Sequence, residues 1–276
     1  MQTSPWGLVN RARYPLESLD STEGRELVDQ CRRDLDDQAL CLLPGFLHPT
    51  ALEGLAAQAN ALSVRSITAH RARTAYGWCD NRGFAPDHPR RALLPARTST
   101  VTLDMIPRDS AFRALFFFDA LTEFIRRCLG FDELYCSACP YLALIIKVMH
   151  EEDTLTWHFD TNDGVVSLLL QDADEGGHFQ YAPYIRHERA ENYGDVKAVF
   201  EGRSKLVHQP PMAPGSLVLF RGRRSLHRVS PVGKTTKPRL IRLHSYDRKP
   251  DMVFPENTVN AVLKPDGQPH YGLYPH

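Results

Sequence analysis

The residues best equipped for chemistry lie in the run Thr156-Trp157-His158-Phe159-Asp160-Thr161-Asn162-Asp163. On an extended segment successive side chains alternate, so His158 and Asp160 project to one face. A neutral imidazole and a carboxylate two residues apart can grip one metal ion. The rest of the site must come from elsewhere in the chain. His227 follows the apolar run Leu217-Val218-Leu219-Phe220 and lies 227 − 158 = 69 residues after His158. Two histidines and one carboxylate on one face, with the remaining positions open, form the facial triad of non-haem Fe(II) oxygenases. An HxD pair alone arises often by chance, so the signal is the combination with a Gly176-Gly177 turn, a distal histidine and a later arginine. His178, His208 and His244 compete for the ligand role.

A ferrous ion held by three protein ligands can chelate a 2-oxo acid and keep a position for dioxygen. The far carboxylate of that acid then needs a cation, best a bidentate arginine. Arg239 lies 239 − 227 = 12 residues past His227, at the start of the run Arg239-Leu240-Ile241-Arg242-Leu243-His244-Ser245-Tyr246-Asp247; Arg242 is the second candidate. Strand parity puts the two on opposite faces. Ile241, Leu243 and Ser245 share the face of Arg239. That face is the more apolar, as a barrel lumen would be, which favours Arg239.

The elements that must position these groups fall into two textures. The first half reads mostly helical. Asp20 and Glu23 have capping-box spacing ahead of Leu27, Val28, Cys31 and Leu35 at helical intervals. Residues 39–47 read as a short strand broken at Pro44-Gly45, residues 49–62 as a second helix, and residues 110–129 as one helix closed by Gly130. Residues 63–95, rich in Arg, His, Gly and Pro, read as a long irregular loop of the kind that serves as a lid. Residues 98–103 alternate like a strand. From about Tyr141 short apolar runs recur between Gly/Pro turns: 141–149, 164–171, 177–181, 205–209, 216–220, 227–230 and 239–246, with one helix near 189–200. The expected fold is mainly β with α: a jelly-roll, or double-stranded β-helix, core under a helical N-terminal layer. The expectation is a single domain, with 1–135 as helical support and lid, 136–250 as the core and 251–276 as a C-terminal tail.

Composition narrows the function classes. The 276 residues carry 33 Lys+Arg against 33 Asp+Glu, a formal charge of 33 − 33 = 0. That balance argues against a nucleic-acid partner, including a nucleic-acid dealkylase built on the same core. Hydrophobic content of 42% with 24% charged residues is ordinary for a packed globular chain. No apolar run approaches the roughly 20 residues of a membrane-spanning helix. No apolar leader segment is visible in residues 1–13, so a cytoplasmic protein is expected. Six scattered cysteines are expected to be reduced thiols, and Cys136-Ser137-Ala138-Cys139 is a CxxC without a second pair. The cluster Arg221, Arg223, Arg224 and Arg228 reads either as a solvated edge or as a steering patch for an anionic cosubstrate.

These residues carry a resemblance. Trp157-His158-Phe159-Asp160, Leu168-Leu169-Leu170-Gln171, Gly176-Gly177, Phe179, Tyr181 and Pro183-Tyr184-Ile185-Arg186 resemble the Fe(II)/2-oxoglutarate oxygenases of the BesD-like free-amino-acid halogenase and hydroxylase family. So do Leu219-Phe220-Arg221-Gly222-Arg223, Ser225-Leu226-His227-Arg228-Val229, Pro231-Val232, Arg239-Leu240 and Ser245-Tyr246-Asp247, and the match runs from Tyr14-Pro15 to near Tyr271. The resemblance implies Fe(II), 2-oxoglutarate and O2, with His158, Asp160 and His227 as iron ligands and Arg239 holding 2-oxoglutarate. In the halogenases a small residue replaces the acidic ligand and opens a site for chloride. Asp160 therefore points to the hydroxylase branch, acting on an unactivated C–H and releasing succinate. Desaturation, cyclisation and a non-catalytic metabolite-binding jelly-roll are the alternatives, with halogenation disfavoured by Asp160. Gln180 departs from the family, where relatives often carry an acidic residue. The family acts on free amino acids or similar small polar metabolites, so the expected partner is a small molecule, with a homodimer possible. Arg73 and Tyr76 in the loop, and Thr161 and Asn162 beyond the ligands, are the candidate substrate contacts.

Overall fold

The structure is a computed structural model that describes residues 4–77, 81–161 and 165–264. Its order is α1 (Thr22–Gln38), β1 (Leu40–Leu43), α2 (Pro49–Ser63), β2 (Ile67–Arg73), β3 (Leu94–Val101), α3 (Ala111–Phe116) and α4 (Asp119–Leu129). There follow β4 (Tyr135–Cys136), β5 (Leu144–Met149), β6 (Leu155–His158), β7 (Val165–Gln171), β8 (Phe179–Ala182), α5 (Tyr193–Phe200), β9 (Leu217–Phe220), β10 (Leu226–Val229), β11 (Arg239–Asp247) and α6 (Glu256–Leu263). Two antiparallel sheets form among the described residues. The major one runs β1-β9-β7-β11-β5-β3-β2 with β4 against β11; the minor one runs β6-β10-β8. No described helix is long and apolar enough to cross a membrane.

The helical layer packs on one face of the major sheet. Val28, Cys31 and Leu35 of α1 are buried with Leu121, Phe124, Ile125 and Cys128 of α4 and with Leu144, Ile146 and Val148 of β5. The other face of the major sheet looks toward the minor sheet, and the space between them holds the site. The expected jelly-roll core under helices is therefore the observed architecture.

Several local expectations are corrected. The cap of α1 is Ser21, whose hydroxyl accepts from Gly24 N. Asp20, one residue earlier, instead pairs with Arg127 at 2.6 Å. Residues 110–129 form two helices: Ser110 caps α3, and the chain breaks at Phe117-Phe118 before α4. The region expected to be loop contains β2, which pairs along its length with β3. Its side chains of described burial are exposed or half-buried, so no apolar alternation marked it in the sequence. Lys205–Gln209 forms no strand and makes only a bridge from His208 to Tyr181. The C-terminal tail includes α6, and β1, β2 and β3 of the first 135 residues join the same sheet as the core strands.

Candidate metal centre

β10 lies antiparallel to β6 with His227 directly opposite His158. Directly opposed residues send their side chains to the same face of a sheet. The two rings sit 4.1 Å apart between centroids. β6 ends at His158, and Asp160 follows as its backbone N–H donates to Gly222 O at 3.1 Å. Its Oδ1 stands 3.4 Å from His227 Nε2 and 3.9 Å from His158 Nε2. One donor atom from each residue lies within 4.8 Å of the others, and no other such group of three occurs among the described residues.

The tautomers suit ligation. His158 Nδ1 donates to Thr156 O at 2.7 Å, and His227 Nδ1 donates to Ser225 O at 3.0 Å. A proton committed to Nδ1 leaves the Nε2 lone pair facing Asp160, the orientation that backbone carbonyls give to ligating imidazoles. Burial, with smaller repulsions from His227 and Arg73, holds the His158 pKa well below 6.5, so the ring is neutral. Gly222 sets the carboxylate: a Cβ there would come within 1.8 Å of Asp160 Oδ2. Only a glycine permits this approach, a requirement that the sequence pattern did not flag.

The triad faces a cavity between the sheets, lined also by Lys147, Phe179, Phe220 and Ile241. Lys147 Nζ donates to the Thr98 and Thr100 hydroxyls at 3.3 and 2.8 Å. Arg239 shares the strand face of Ile241 and Leu243, both cavity-lining. Its guanidinium is 1% exposed. Among the described residues its Nε and Nη1 have no hydrogen-bond partner, and the Asp172 carboxylate stands 3.9 Å from Nε. Burial pushes its pKa down to about 10, still protonated at neutral pH. Gly177, at φ +65°, presses on this side chain, and a Cβ there would lie 2.9 Å from Arg239 Cδ. Arg242 points to the opposite face, where its Nη2 donates to Phe112 O behind the sheet.

The remaining candidates scatter. Arg73 ends β2, near enough to His158 to oppose its protonation. Tyr76 is buried against Phe159, ring centroids 5.3 Å apart, and burial raises its phenol pKa. Thr161 is exposed and lines a separate surface cleft with Arg223 and Arg248. Asn162 lies outside the described residues. His244 is buried behind the sheet beside Tyr246, and His208 and His178 lie away from the triad. Of the arginine cluster, Arg221 donates to Leu129 O, Arg224 pairs with Glu188, and Arg228 donates to Gln180 Oε1 at 2.8 Å. That last bond gives Gln180 a role in the minor sheet's edge. Cys136 and Cys139 are free thiols: one donates to Phe116 O and the other accepts from Leu142 N.

Comparison with known proteins fits this geometry. Residues 24–260 match the family described as Halogenase D. The chain belongs to the Halogenase D family. No curated protein matches it. Among solved structures it is similar to the epimerase SnoN in complex with Fe3+, alpha ketoglutarate and nogalamycin RO (14% identity, 91% of this chain and 94% of that one, TM-score 0.56). It is also similar to the non-heme alpha ketoglutarate dependent carbocyclase SnoK from nogalamycin biosynthesis (14%, 79% and 83%, TM-score 0.53). A third is a 2OG-Fe(II) oxygenase family oxidoreductase from Burkholderia pseudomallei (15%, 80% and 91%, TM-score 0.50). At such identities the likeness is one of fold, that of the 2-oxoglutarate oxygenases.

Proposed function

We propose that this Halogenase D family member is an Fe(II)/2-oxoglutarate-dependent hydroxylase of an unactivated C–H in a small free amino acid or similar polar metabolite. The observation that carries the reading is the convergence of His158, Asp160 and His227 at one edge of the inter-sheet cavity. Their donor set, two imidazoles and a carboxylate, fits a ferrous ion. The orphaned donors of Arg239 fit the distal carboxylate of 2-oxoglutarate, the one buried cation on the cavity face without a bonded acceptor among the described residues.

The residues divide the work. His158 and His227 would offer Nε2 to the metal, each held by its Nδ1 bond to a backbone carbonyl. Asp160 would supply the third, anionic ligand. Bound iron with 2-oxoglutarate and O2 supplies the oxidising chemistry and yields succinate. Arg239 would fix the far end of the cosubstrate by a charge-assisted bond inside a dry wall, where it is strongest. Phe179, Phe220 and Ile241 exclude water from that wall. Asp160 also favours oxygen over halogen transfer: it would offer the metal a carboxylate where the halogenases that the sequence resembles carry a small residue, and Gly222 leaves room for that carboxylate.

The test is anaerobic Fe(II) with 2-oxoglutarate, read as a weak visible charge-transfer band. That band is expected to vanish or shift in Asp160→Ala. A screen of amino acids and related small polar metabolites should then find one that gains one oxygen with matching succinate release. A chain that binds neither metal nor 2-oxoglutarate would refute the proposal.

A further inference from the structure

The run Pro183-Tyr184-Ile185-Arg186 does not line the cavity, yet it meets both segments that carry the proposed ligands. Tyr184 adopts φ +48°, a left-handed conformation costly for a residue with a side chain. That kink turns the chain back across the minor sheet. The Tyr184 N–H donates to Ser225 Oγ at 3.1 Å, and Ser225 is the residue whose carbonyl orients His227. The Arg186 N–H donates to Arg224 O at 3.2 Å, and Arg186 Nε donates to Arg223 O at 2.7 Å. The guanidinium lies over the Phe159 ring, 4.1 Å from its centroid. Phe159 separates His158 from Asp160 and is itself buried. Glu191 Oε2 stands 3.7 Å from Arg186 Nη1.

We propose that Arg186 is a positioning residue for the metal centre: it clamps the Arg221–Ser225 segment, through the Arg223 and Arg224 carbonyls, against the Phe159–Asp160 segment. The clamp acts where the fit is tightest. Gly222 lies inside the clamped segment, accepts the Asp160 N–H and leaves the carboxylate no room on that side. If the segment drifts outward, Asp160 loses both its backbone anchor and its wall. Charge alone cannot do this work. The planar guanidinium stacks on an aromatic face while its edge donates to a carbonyl, and an ammonium offers no such plane.

The inference rests on the metal-binding reading above and is tested separately from it. Co(II), whose visible spectrum reports coordination geometry, is titrated into the metal-free full-length protein, well below its unfolding temperature. The variants are Arg186→Met, Arg186→Lys and Phe159→Leu. Partners that orient ligands typically contribute 10–100-fold in metal affinity. Arg186→Met should lose about tenfold or more and alter the Co(II) bands. Arg186→Lys should fail to restore either, and the Arg186→Met/Phe159→Leu double variant should lose no more than the larger single loss. Should Arg186→Met not fold, Arg186→Lys and Phe159→Leu carry the test. Co(II) affinity within twofold of the parent in the folded variants, even with a lowered unfolding temperature, overturns the clamp. Failure of the unaltered chain to bind Co(II) or Fe(II) overturns the metal-binding reading as well.

Discussion

Replacing Arg239 with methionine should move stability and cosubstrate binding in opposite directions. In the metal-free protein the guanidinium is sealed, with Nε and Nη1 unbonded among the described residues. Burial lowers its pKa from 12.5 to about 10. That displacement corresponds to roughly 3 kcal/mol against the charged form. Folded and unfolded chains both keep the proton below about pH 9, so the penalty is constant across the working range. An apolar side chain of similar length removes it, and Asp172, with its side chain 43% exposed, keeps access to water when left without its partner. Metal-free Arg239→Met is therefore expected to unfold at or above the parent's temperature. Binding should suffer. The distal carboxylate of 2-oxoglutarate loses two hydrogen bonds from a charged donor, each on the order of 1.5–3 kcal/mol. A combined loss of roughly 3–6 kcal/mol raises Kd by at least about 150-fold. The assay is an anaerobic titration of the Fe(II)-loaded protein with 2-oxoglutarate, beside thermal unfolding of the metal-free protein. Arg242→Met, on the far face of the same strand, is the control and should leave the titration unchanged. A Kd for Arg239→Met within threefold of the parent, or an equal loss in Arg242→Met, would refute the assignment.

Gly222→Ala puts a methyl group 1.8 Å from Asp160 Oδ2; Fe(II) affinity should drop at least tenfold while 2-oxoglutarate still protects the fold weakly or not at all, and normal Fe(II) binding would show that Asp160 is not fixed there. Gly177→Ala forces a side chain into φ +65° and against Arg239 Cδ; metal affinity should hold while the Kd for 2-oxoglutarate rises by an order of magnitude or more, measured by the same titration. His244 is kept neutral by burial and by Arg242, its pKa well below 6.5. The unfolded chain binds that proton and the folded chain does not, so stability falls as pH drops below about 6.5, by up to roughly 1.4 kcal/mol per pH unit. Denaturant unfolding from pH 7.5 to 5 should show His244→Leu losing that part of the slope; an unchanged slope assigns the pH dependence elsewhere.

The convergence of His158, Asp160 and His227 was legible because the three residues obey local rules. His158 and Asp160 sit two apart at a strand's end, and His227 follows an apolar strand that register brings opposite His158. The choice of Arg239 over Arg242 followed from parity, since Ile241 and Leu243 line the cavity while Arg242 points to Phe112. What the sequence hid depends on contacts between distant segments. The need for glycine at 222 arises only when Asp160 arrives beside it, 62 residues away in the chain by 222 − 160. β2 escaped notice because its side chains of described burial are exposed or half-buried and carry no apolar alternation. Thr161 faces a surface cleft rather than the cavity because the chain has already left β6, where strand parity no longer predicts direction.

The two sheets hold different halves of the proposed chemistry, and this division explains why both need tight glycines. The minor sheet carries His158 and His227, two of the proposed metal ligands, on neighbouring strands, so a small slide of β10 along β6 would separate them. The major sheet carries Arg239 on its central strand, paired on both sides to β5 and β7. Arg239 opens that strand, opposite Met149 of β5. The segments between the sheets must then be seated without slack. Gly222 abuts the minor-sheet carboxylate, and Gly177, leading into β8 of the minor sheet, abuts the major-sheet arginine. Each glycine transmits the position of one sheet to the working group of the other. A substitution at Gly177 is expected to spare metal binding while weakening cosubstrate binding, whereas one at Gly222 weakens metal binding and, with it, the binding of the cosubstrate.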